Sequence, residues 1–197
     1  HRDFSGSVLN LLADLLSCIK GNTMILFTSR QQLLAASAYL RPLSLALGLD
    51  LIVQYEDGEF AHLINKFTSQ NNSVLMGVET FWEGVDLKGD LLNLLIIVKL
   101  PFRSPTEPYC HAWEKYYRLK GMNSFKHFML PDAALRFKQG VGRLIRSETD
   151  RGAVIVLDAR LATKKYGPVF CRSVPFSNIN KVKKQEIKEC IHPWIIN

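Results

Sequence analysis

The sequence lacks several features that would assign it to a common class at once. None of its apolar runs reaches the roughly 18 residues that a membrane-spanning helix needs, and no signal peptide opens the chain. The 4 cysteines are scattered, without a Cys-x-x-Cys pair or paired histidines, so neither a zinc site nor a disulfide framework is predicted. We therefore expect a cytoplasmic protein with no metal site and no membrane partner.

The chain also lacks the sequence motifs of a self-contained nucleotide-binding site. It contains no Gly-x-x-x-x-Gly-Lys-[Ser/Thr] loop, no Asp-Glu-x-His-type acid pair for magnesium and no four-cysteine iron–sulfur signature. The first residue is His1 rather than Met, which suggests a piece excised from a longer protein. Any nucleotide chemistry would therefore need residues from outside this sequence.

Composition and charge are those of a globular domain with one basic half. The 197 residues are 47% hydrophobic and 22% charged, which is enough to build one large core. The net charge of +7 is uneven, because residues 1–98 carry −4, residues 99–151 carry +6 and residues 152–197 carry +5. Such asymmetry is compatible with a polyanion facing the second half, although a solvated basic face would look the same.

Short apolar runs alternate with helical patterns along most of the chain. Strands are predicted at residues 23–28, 51–54, 73–78, 92–98 and 153–157, and helices at residues 8–19, 31–39, 59–69, 105–119, 131–146 and 180–190. Strands without polar alternation, separated by helices, indicate a parallel sheet covered on both faces. Ligands bind such sheets at the carboxyl ends of the strands. Polar or glycine-bearing segments follow the strands there at residues 28–30, 79–89, 99–104 and 158–160.

The helix predicted before the final strand carries the most distinctive side chains. Gln139, Arg143 and Arg146 are spaced i, i+4 and i+7, so they should project from one face. Gly140 and Gly142 each cost roughly 1 kcal/mol inside a helix relative to Ala, which is understandable if another backbone or a ligand approaches closely. Arginines beside bare backbone favour a phosphate or carboxylate partner, whereas the simpler interpretation is a surface helix with solvated arginines.

The loop GVETFWEGVDLKGD after the third predicted strand combines acids, aromatics and glycines. Glu83, Gly84 and Asp86 could bind a metal, a ribose hydroxyl or a cationic side chain, although acid-rich loops are usually only solvated. The adjacent Phe81 and Trp82 are more typical of packing than of a base-stacking platform, and both interpretations stay open.

Three segments together resemble motifs IV, V and VI of superfamily 2 DNA helicases. They are FTSR after the first strand, ETFWEGVDLKGD after the third, and QGVGRLIRSETDRGAVIVLDAR around the last. The match is nearest to the DinG/XPD branch, whose motif VI contains Q-x-x-G-R-x-I-R and whose motif V contains E-G-x-D. It implies a three-layer αβα RecA-like fold of the P-loop NTPase type with a mainly parallel sheet. Residues 1–176 would form the second RecA-like lobe, and residues 177–197 a lysine-rich helical extension.

The resemblance implies nucleotide-side roles for residues of motifs V and VI. Arg143 and Arg146 match arginines that reach across the inter-lobe cleft to the γ-phosphate, where one or both would act as arginine fingers. Gln139 matches a glutamine expected near the phosphates or the attacking water. The residues expected around the nucleotide, or coupling it to the DNA track, are Glu83, Gly84, Asp86 and Gly142.

The resemblance also implies a DNA side built from motifs IV and V. Thr28, Ser29 and Arg30 match motif IV, where hydroxyls, N–H groups and a cation grip single-strand phosphates. Thr80 and Trp82 are the motif V residues expected beside the nucleic acid. This branch often has D-x-R after the final strand, and the residues given an inter-lobe or DNA-side role on that ground are Asp158 and Arg160.

The function that the resemblance implies is the C-terminal motor lobe of an ATP-dependent DNA helicase. ATP hydrolysis would drive 5'–3' translocation on single-stranded DNA and duplex unwinding. ATP and Mg²⁺ would be held mainly by the missing first RecA-like lobe, which is also the expected partner. An iron–sulfur cluster could lie upstream but not in this chain. We therefore expect the isolated chain to bind ATP weakly and not to hydrolyse it.

Three alternatives remain at this point. A non-catalytic lobe that binds nucleic acid or a partner is disfavoured by the intact Gln139, Arg143 and Arg146. An unrelated α/β phosphate-binding enzyme would need a glycine-rich phosphate loop, which the sequence lacks. Some relatives join the helicase lobes to an N-terminal exonuclease domain, so nuclease activity of the full protein is the third alternative.

Overall fold

One sheet of five parallel strands, in the order β2-β3-β1-β4-β5, forms the centre of the computed structural model. The structure describes residues 6–83, 91–144, 151–176 and 178–195, without the side chains of Glu79, Glu83 and residues 192–195. The strands are β1 (Thr23–Leu26), β2 (Asp50–Val53), β3 (Ser73–Gly77), β4 (Leu94–Ile97) and β5 (Ala153–Val156). Each overlaps one of the apolar runs predicted to be a strand.

Helices cover both faces of this sheet. They are α1 (Gly6–Leu16), α2 (Arg30–Ala46), α3 (Phe60–Ser69), α4 (Glu79–Glu83), α5 (Pro108–Leu119), α6 (Leu130–Val141), α7 (Arg160–Thr163), α8 (Gly167–Ser173) and α9 (Ile187–Ile195). A π-helical turn, Phe125–Met129, leads directly into α6, and a 3₁₀ turn, Lys184–Glu186, leads into α9. Within the described ranges, no helix is both long and apolar enough to cross a membrane.

Beyond their first residues the strands carry no polar side chain, because two separate cores bury their two faces. Successive side chains of a strand point to opposite faces, so Ile25 and Met24 enter different cores. The core around Ile25 receives side chains from α1, α2 and α9, including Leu12, Leu33, Leu40 and Ile191. The core around Met24 receives side chains from α3, α4, α6 and α8, including Leu63, Trp82, Phe137 and Phe170. The predicted three-layer αβα architecture with a parallel sheet is therefore confirmed.

Helix α6 ends earlier than the apolar periodicity predicts. Its last residue is Val141, and Gly142 is the C-cap. The N–H of Arg143 then donates to the Gly140 carbonyl at 3.1 Å, so the chain tightens into an i→i−3 turn. The prediction of one helical face through Arg143 is therefore wrong, because Arg143 lies in the turn beyond the helix. Arg146 lies outside the described residues.

The lysine-rich C-terminal segment also differs in detail from the predicted helix. The predicted helix begins at residue 180, whereas α9 begins at Ile187 after the short 3₁₀ turn. Ile187 and Ile191 are 8% and 6% exposed and join the apolar core of α1 and α2. Beyond the predicted boundary at residue 177, the chain therefore returns to pack on the sheet layer.

Candidate functional site

The carboxyl ends of the five strands meet at one edge of the sheet, because all five strands are parallel. The chain segments that leave this edge carry polar side chains. They are Thr28–Arg30 after β1, Gln54–Tyr55 after β2, Val78–Thr80 after β3, Leu100–Ser104 after β4 and Asp158–Arg160 after β5. Four of them overlap segments predicted from the sequence, and the fifth, after β2, was missed.

The segment after β1 starts helix α2 with two hydroxyl side chains and a cation. Ser29 is the N-cap, with an extended backbone (φ −149°, ψ 128°), and its side chain makes no capping hydrogen bond. Thr28 and Ser29 are half-buried and Arg30 is exposed. The guanidinium of Arg30 lies over the ring of Tyr55, 4.5 Å from its centroid. The open N–H groups of a helix N-terminus and these hydroxyls suit a phosphate.

Gln54 ties the segment after β3 to the end of β2. Its Nε2 donates to the Thr80 hydroxyl at 2.8 Å, and its Oε1 accepts from the Val78 N–H at 2.7 Å. Thr80 is exposed on α4, so its hydroxyl faces the edge while this contact fixes its position. The only sequence signal for Gln54 was that it is the last and only polar residue of the strand predicted at residues 51–54.

The predicted nucleic-acid contact by Trp82 does not fit the structure. The Trp82 side chain is 1% exposed and lies in the core between β1 and α6, so neither ring face is open to a base. Its Nε1–H donates to the Phe27 carbonyl at 3.0 Å. Of the two interpretations of Phe81 and Trp82, packing is the one that agrees with their burial.

Gly140 is explained by the same tryptophan. A Cβ at Gly140 would lie 2.7 Å from Cε3 of Trp82, closer than carbon atoms pack. The close neighbour inferred from the sequence is therefore an indole ring and not a ligand. Gly142 differs, because its φ of −63° is ordinary and a Cβ there would meet only carbonyls of its own helix, the nearest at 3.3 Å.

The nucleotide-side candidates lie on and after the C-terminal end of α6. Gln139 is exposed, and Arg143 is half-buried in the turn that follows the helix. Leu144 packs against Gly152, which immediately precedes β5, so the chain at Arg143 has reached the amino end of that strand. Gln139 and Arg143 are thus separated from the residues after β1. The positions of Gly84, Asp86 and Arg146, and the side chain of Glu83, lie outside the described residues.

An open groove of about 340 Å³ lies at the carboxyl edge beside β1, β4 and β5. Its polar lining comes from Thr28, Arg103, Ser104 and Arg160, and its apolar lining includes Phe102 and Tyr166. Arg103 is held by Asp132, with Nε 3.1 Å from Oδ2. The structure therefore brings a motif IV hydroxyl and two arginines to one surface, of which Arg103 was not singled out in the sequence.

Asp158 fixes the second of these arginines. The Asp158 carboxylate accepts hydrogen bonds from the Leu100 N–H at 3.0 Å, the Arg160 N–H at 3.0 Å and the Arg160 guanidinium at 2.6 Å. Burial by itself would raise the pKa of Asp158, but the Arg160 side chain and the two N–H donors outweigh it and hold the pKa below its ordinary value of 3.8. Asp158 thus connects the segments after β4 and β5 as a charged anchor.

Comparison with known proteins identifies this class of domain. Residues 12–177 match the family described as the helicase C-terminal domain. The chain is 39% identical to the ATP-dependent DNA helicase YoaA of Haemophilus influenzae over 180 residues, which are 89% of this chain and 28% of the relative. It is also 39% identical to the 3'-5' exonuclease DinG of Bacillus subtilis over 166 residues, which are 84% of this chain and 18% of that relative.

Solved structures agree on the fold. The structure XPD_APO superposes with a TM-score of 0.67 at 21% identity, covering 91% of this chain and 36% of that one. The structure XPD_Helicase gives a TM-score of 0.61 at 23% identity, covering 86% of this chain and 31% of that one.

The fold is therefore that of a RecA-like helicase domain. The chain belongs to the helicase C-terminal domain family, in its DinG/XPD branch, which confirms the resemblance drawn from the motifs. It spans less than a third of the length of the two curated relatives described above.

Proposed function

We propose that the chain is the C-terminal motor lobe of an ATP-dependent DNA helicase that moves 5'–3' on single-stranded DNA and unwinds duplexes. One of the relatives described above, YoaA of H. influenzae, is named an ATP-dependent DNA helicase and shares 39% identity over 89% of this chain. The observation that carries the proposal is that this identity extends over a chain that retains Gln139 and Arg143 but has no phosphate loop of its own.

The nucleotide side is proposed to be half of a cleft whose other half is the first RecA-like lobe. Exposed Gln139 and half-buried Arg143 have the donor chemistry for phosphate oxygens, and Gly142 adds no side chain that would block them. When bound, ATP with Mg²⁺ would supply the phosphoryl group and would be held mainly by the first lobe. Arg143, and Arg146 by the motif match, would stabilise the negative charge on the transferred group as arginine fingers. The isolated chain should therefore not hydrolyse ATP.

The DNA side is proposed to follow the carboxyl edge of the sheet. Thr28 and Ser29 present hydroxyls at the first turn of α2, and Thr80 presents a third from α4. Arg30 adds an exposed charge at the same turn. Contacts of this kind bind phosphates independently of base sequence, which is what translocation along any single strand requires.

The proposal is tested on the full-length protein by measuring ATP turnover with and without single-stranded DNA. Unwinding is then compared on duplexes with a 5' or a 3' single-stranded tail. We expect DNA to stimulate turnover and the 5'-tailed duplex to be opened. An ATP turnover rate that single-stranded DNA does not change would refute the motor assignment. Preferential unwinding of the 3'-tailed duplex would refute only the proposed direction of movement.

A helicase–exonuclease fusion is a second candidate, supported by the similarity to the B. subtilis relative, whose name specifies a 3'-5' exonuclease. In a fusion, the nuclease would reside outside this chain. Full-length protein should then shorten a 5'-labelled strand from its 3' end without ATP, and the 197-residue chain alone should not. An intact strand after incubation with the full-length protein would exclude the fusion.

A further inference from the structure

Trp82 makes two specific contacts that join separate motifs through the core. On one side its Nε1–H donates to the Phe27 carbonyl at 3.0 Å, and Phe27 directly precedes Thr28. On the other side its six-membered ring lies against Gly140, so closely that a Cβ there would be 2.7 Å from Cε3 and 3.0 Å from Cζ3. One side chain of α4 therefore touches both the strand end that leads into α2 and the helix that leads to Arg143.

The two contacts link the position of Trp82 closely to the positions of Phe27 and Gly140. Phe27 is fully buried, and its N–H donates to the Gly77 carbonyl at 2.9 Å, so its peptide groups are fixed to both β3 and Trp82. A hydrogen bond in such surroundings is costly to leave unmade, and close-packed interiors transmit strain because they do not compress. A shift of α4 would therefore displace both Phe27 and Gly140.

The contact at Gly140 leads directly to Arg143. The Gly140 carbonyl accepts the hydrogen bond from the Arg143 N–H at 3.1 Å, which forms the turn carrying that arginine. A displacement of Gly140 by the Trp82 ring would thus move the backbone to which Arg143 is hydrogen-bonded. The residues after β1 and the turn at Arg143 are far apart along the chain, yet a single indole and one hydrogen bond separate them.

We propose that Trp82 is a positioning residue that couples DNA contact at Thr28 and Ser29 to the placement of Arg143 for ATP turnover. This inference rests on the function proposed above, in which these two regions contact DNA and nucleotide. The coupling runs through a contiguous set of packed groups, and it is reciprocal, so DNA bound at one end should favour the active arrangement at the other.

The test uses Trp82→Phe in the full-length protein, because phenylalanine keeps an apolar ring and removes the N–H donor. The measurements are ATP turnover without DNA, ATP turnover at saturating oligothymidine, the dissociation constant for that oligothymidine, and the thermal midpoint. We expect the ratio of stimulated to unstimulated turnover to fall about fivefold, as loss of one net hydrogen bond between coupled sites predicts. The dissociation constant should change less than about twofold, because the Trp82 side chain is only 1% exposed and offers no surface to the oligonucleotide.

Trp113→Phe is the matched control. Trp113 is half-buried on α5 and stacks on Phe128 with ring centroids 5.4 Å apart, away from Phe27 and Gly140. A comparable loss of aromatic surface there should lower the thermal midpoint without changing the stimulation ratio. A purely structural role for Trp82 would give the same pattern in Trp82→Phe, and that result would overturn the proposal.

Gly140→Ala provides the second arm, which stays informative if Trp82→Phe fails to fold. The added methyl group meets the indole, so the stimulation ratio should fall. In the double variant, the smaller phenylalanine ring makes room for this methyl group, and the ratio should exceed that of Gly140→Ala alone. If the decreases in the stimulation ratio of the two single variants simply add in the double variant, coupling through this contact would be contradicted. A wild-type protein without DNA stimulation would refute the proposed function itself, whereas a stimulated wild type with an unaffected Trp82→Phe would refute only this inference.

Discussion

The anchor formed by Asp158 predicts a stability change that depends on pH. In the 197-residue chain, Asp158→Asn should keep one acceptor for the Leu100 N–H but lose the charge that pairs with Arg160. The Arg160 side chain is 41% exposed, so solvent screens this ion pair and it contributes only roughly 1 kcal/mol. Asparagine offers only one acceptor oxygen, so the Arg160 N–H also loses its partner, which adds about 1 kcal/mol. The free energy of unfolding at pH 7 should therefore fall by about 2 kcal/mol.

Asp158→Ala should cost more, because no acceptor remains for the N–H groups of Leu100 and Arg160. The Asp158 side chain is 7% exposed, so water replaces it poorly, and the expected loss is about 3 kcal/mol. Urea denaturation followed by circular dichroism measures both losses as shifts of the midpoint. The exposed Glu114 on α5 provides the control, since Glu114→Gln should change the free energy of unfolding by less than about 0.5 kcal/mol.

The pH dependence follows from the direction of the pKa shift. Folding lowers the pKa of Asp158 below 3.8, so its stabilisation is fully present above the unfolded pKa and is lost as the pH falls through the folded pKa. The difference between wild type and Asp158→Asn should thus be constant from about pH 7 to 5 and shrink below about pH 4. A difference that stays constant down to about pH 3, or that never exceeds about 0.5 kcal/mol, would refute the anchor assignment.

Three further predictions concern the proposed site. In the full-length protein, Arg143→Ala should lower DNA-stimulated ATP turnover at least about a hundredfold. The control is Arg118→Ala, at an exposed position of α5, which should leave turnover unchanged. An Arg143→Ala variant that keeps most of its turnover would contradict the arginine-finger role. Binding of the isolated chain to oligothymidine, measured by fluorescence anisotropy, should weaken roughly tenfold between about 50 and 200 mM salt, and salt-independent binding would mean that phosphates are not contacted. Gly142→Ala should change the free energy of unfolding by less than about 1 kcal/mol, because the Gly142 φ of −63° suits alanine. In the full-length protein the same substitution should raise the KM for ATP, and an unchanged KM would remove Gly142 from the nucleotide side.

The layers of the fold were predictable because both faces of each strand are buried. A strand such as Met24-Ile25-Leu26 shows no polar alternation, which in itself indicates a parallel sheet between two helical layers. The strand order is set by contacts between segments far apart in sequence, so periodicity carries no information on it. The same limit applies to the groove, where Arg103 meets Arg160 only through the pairing of β4 with β5.

The burial of Trp82 could not be predicted locally for a similar reason. A tryptophan in an acidic, glycine-containing loop is compatible with a solvent-facing platform, and the sequence around it does not exclude one. Its burial depends on Gly140, 58 positions further along the chain, and on the Phe27 carbonyl. The apolar periodicity likewise did not predict the early end of α6, because it continues through Leu144, although the two glycines at positions 140 and 142 lower the helix propensity there.

The two glycines near the end of α6 show that a matched motif combines two kinds of requirement. Gly140 is required by packing, because any side chain there would collide with the Trp82 ring. Gly142 has no such neighbour, and its backbone conformation suits any residue. Chemistry therefore has to be sought at Gly142 and Arg143, whereas Gly140 belongs to the core that carries them. A match to a motif therefore does not by itself distinguish a residue that contacts a ligand from one that packs in the core.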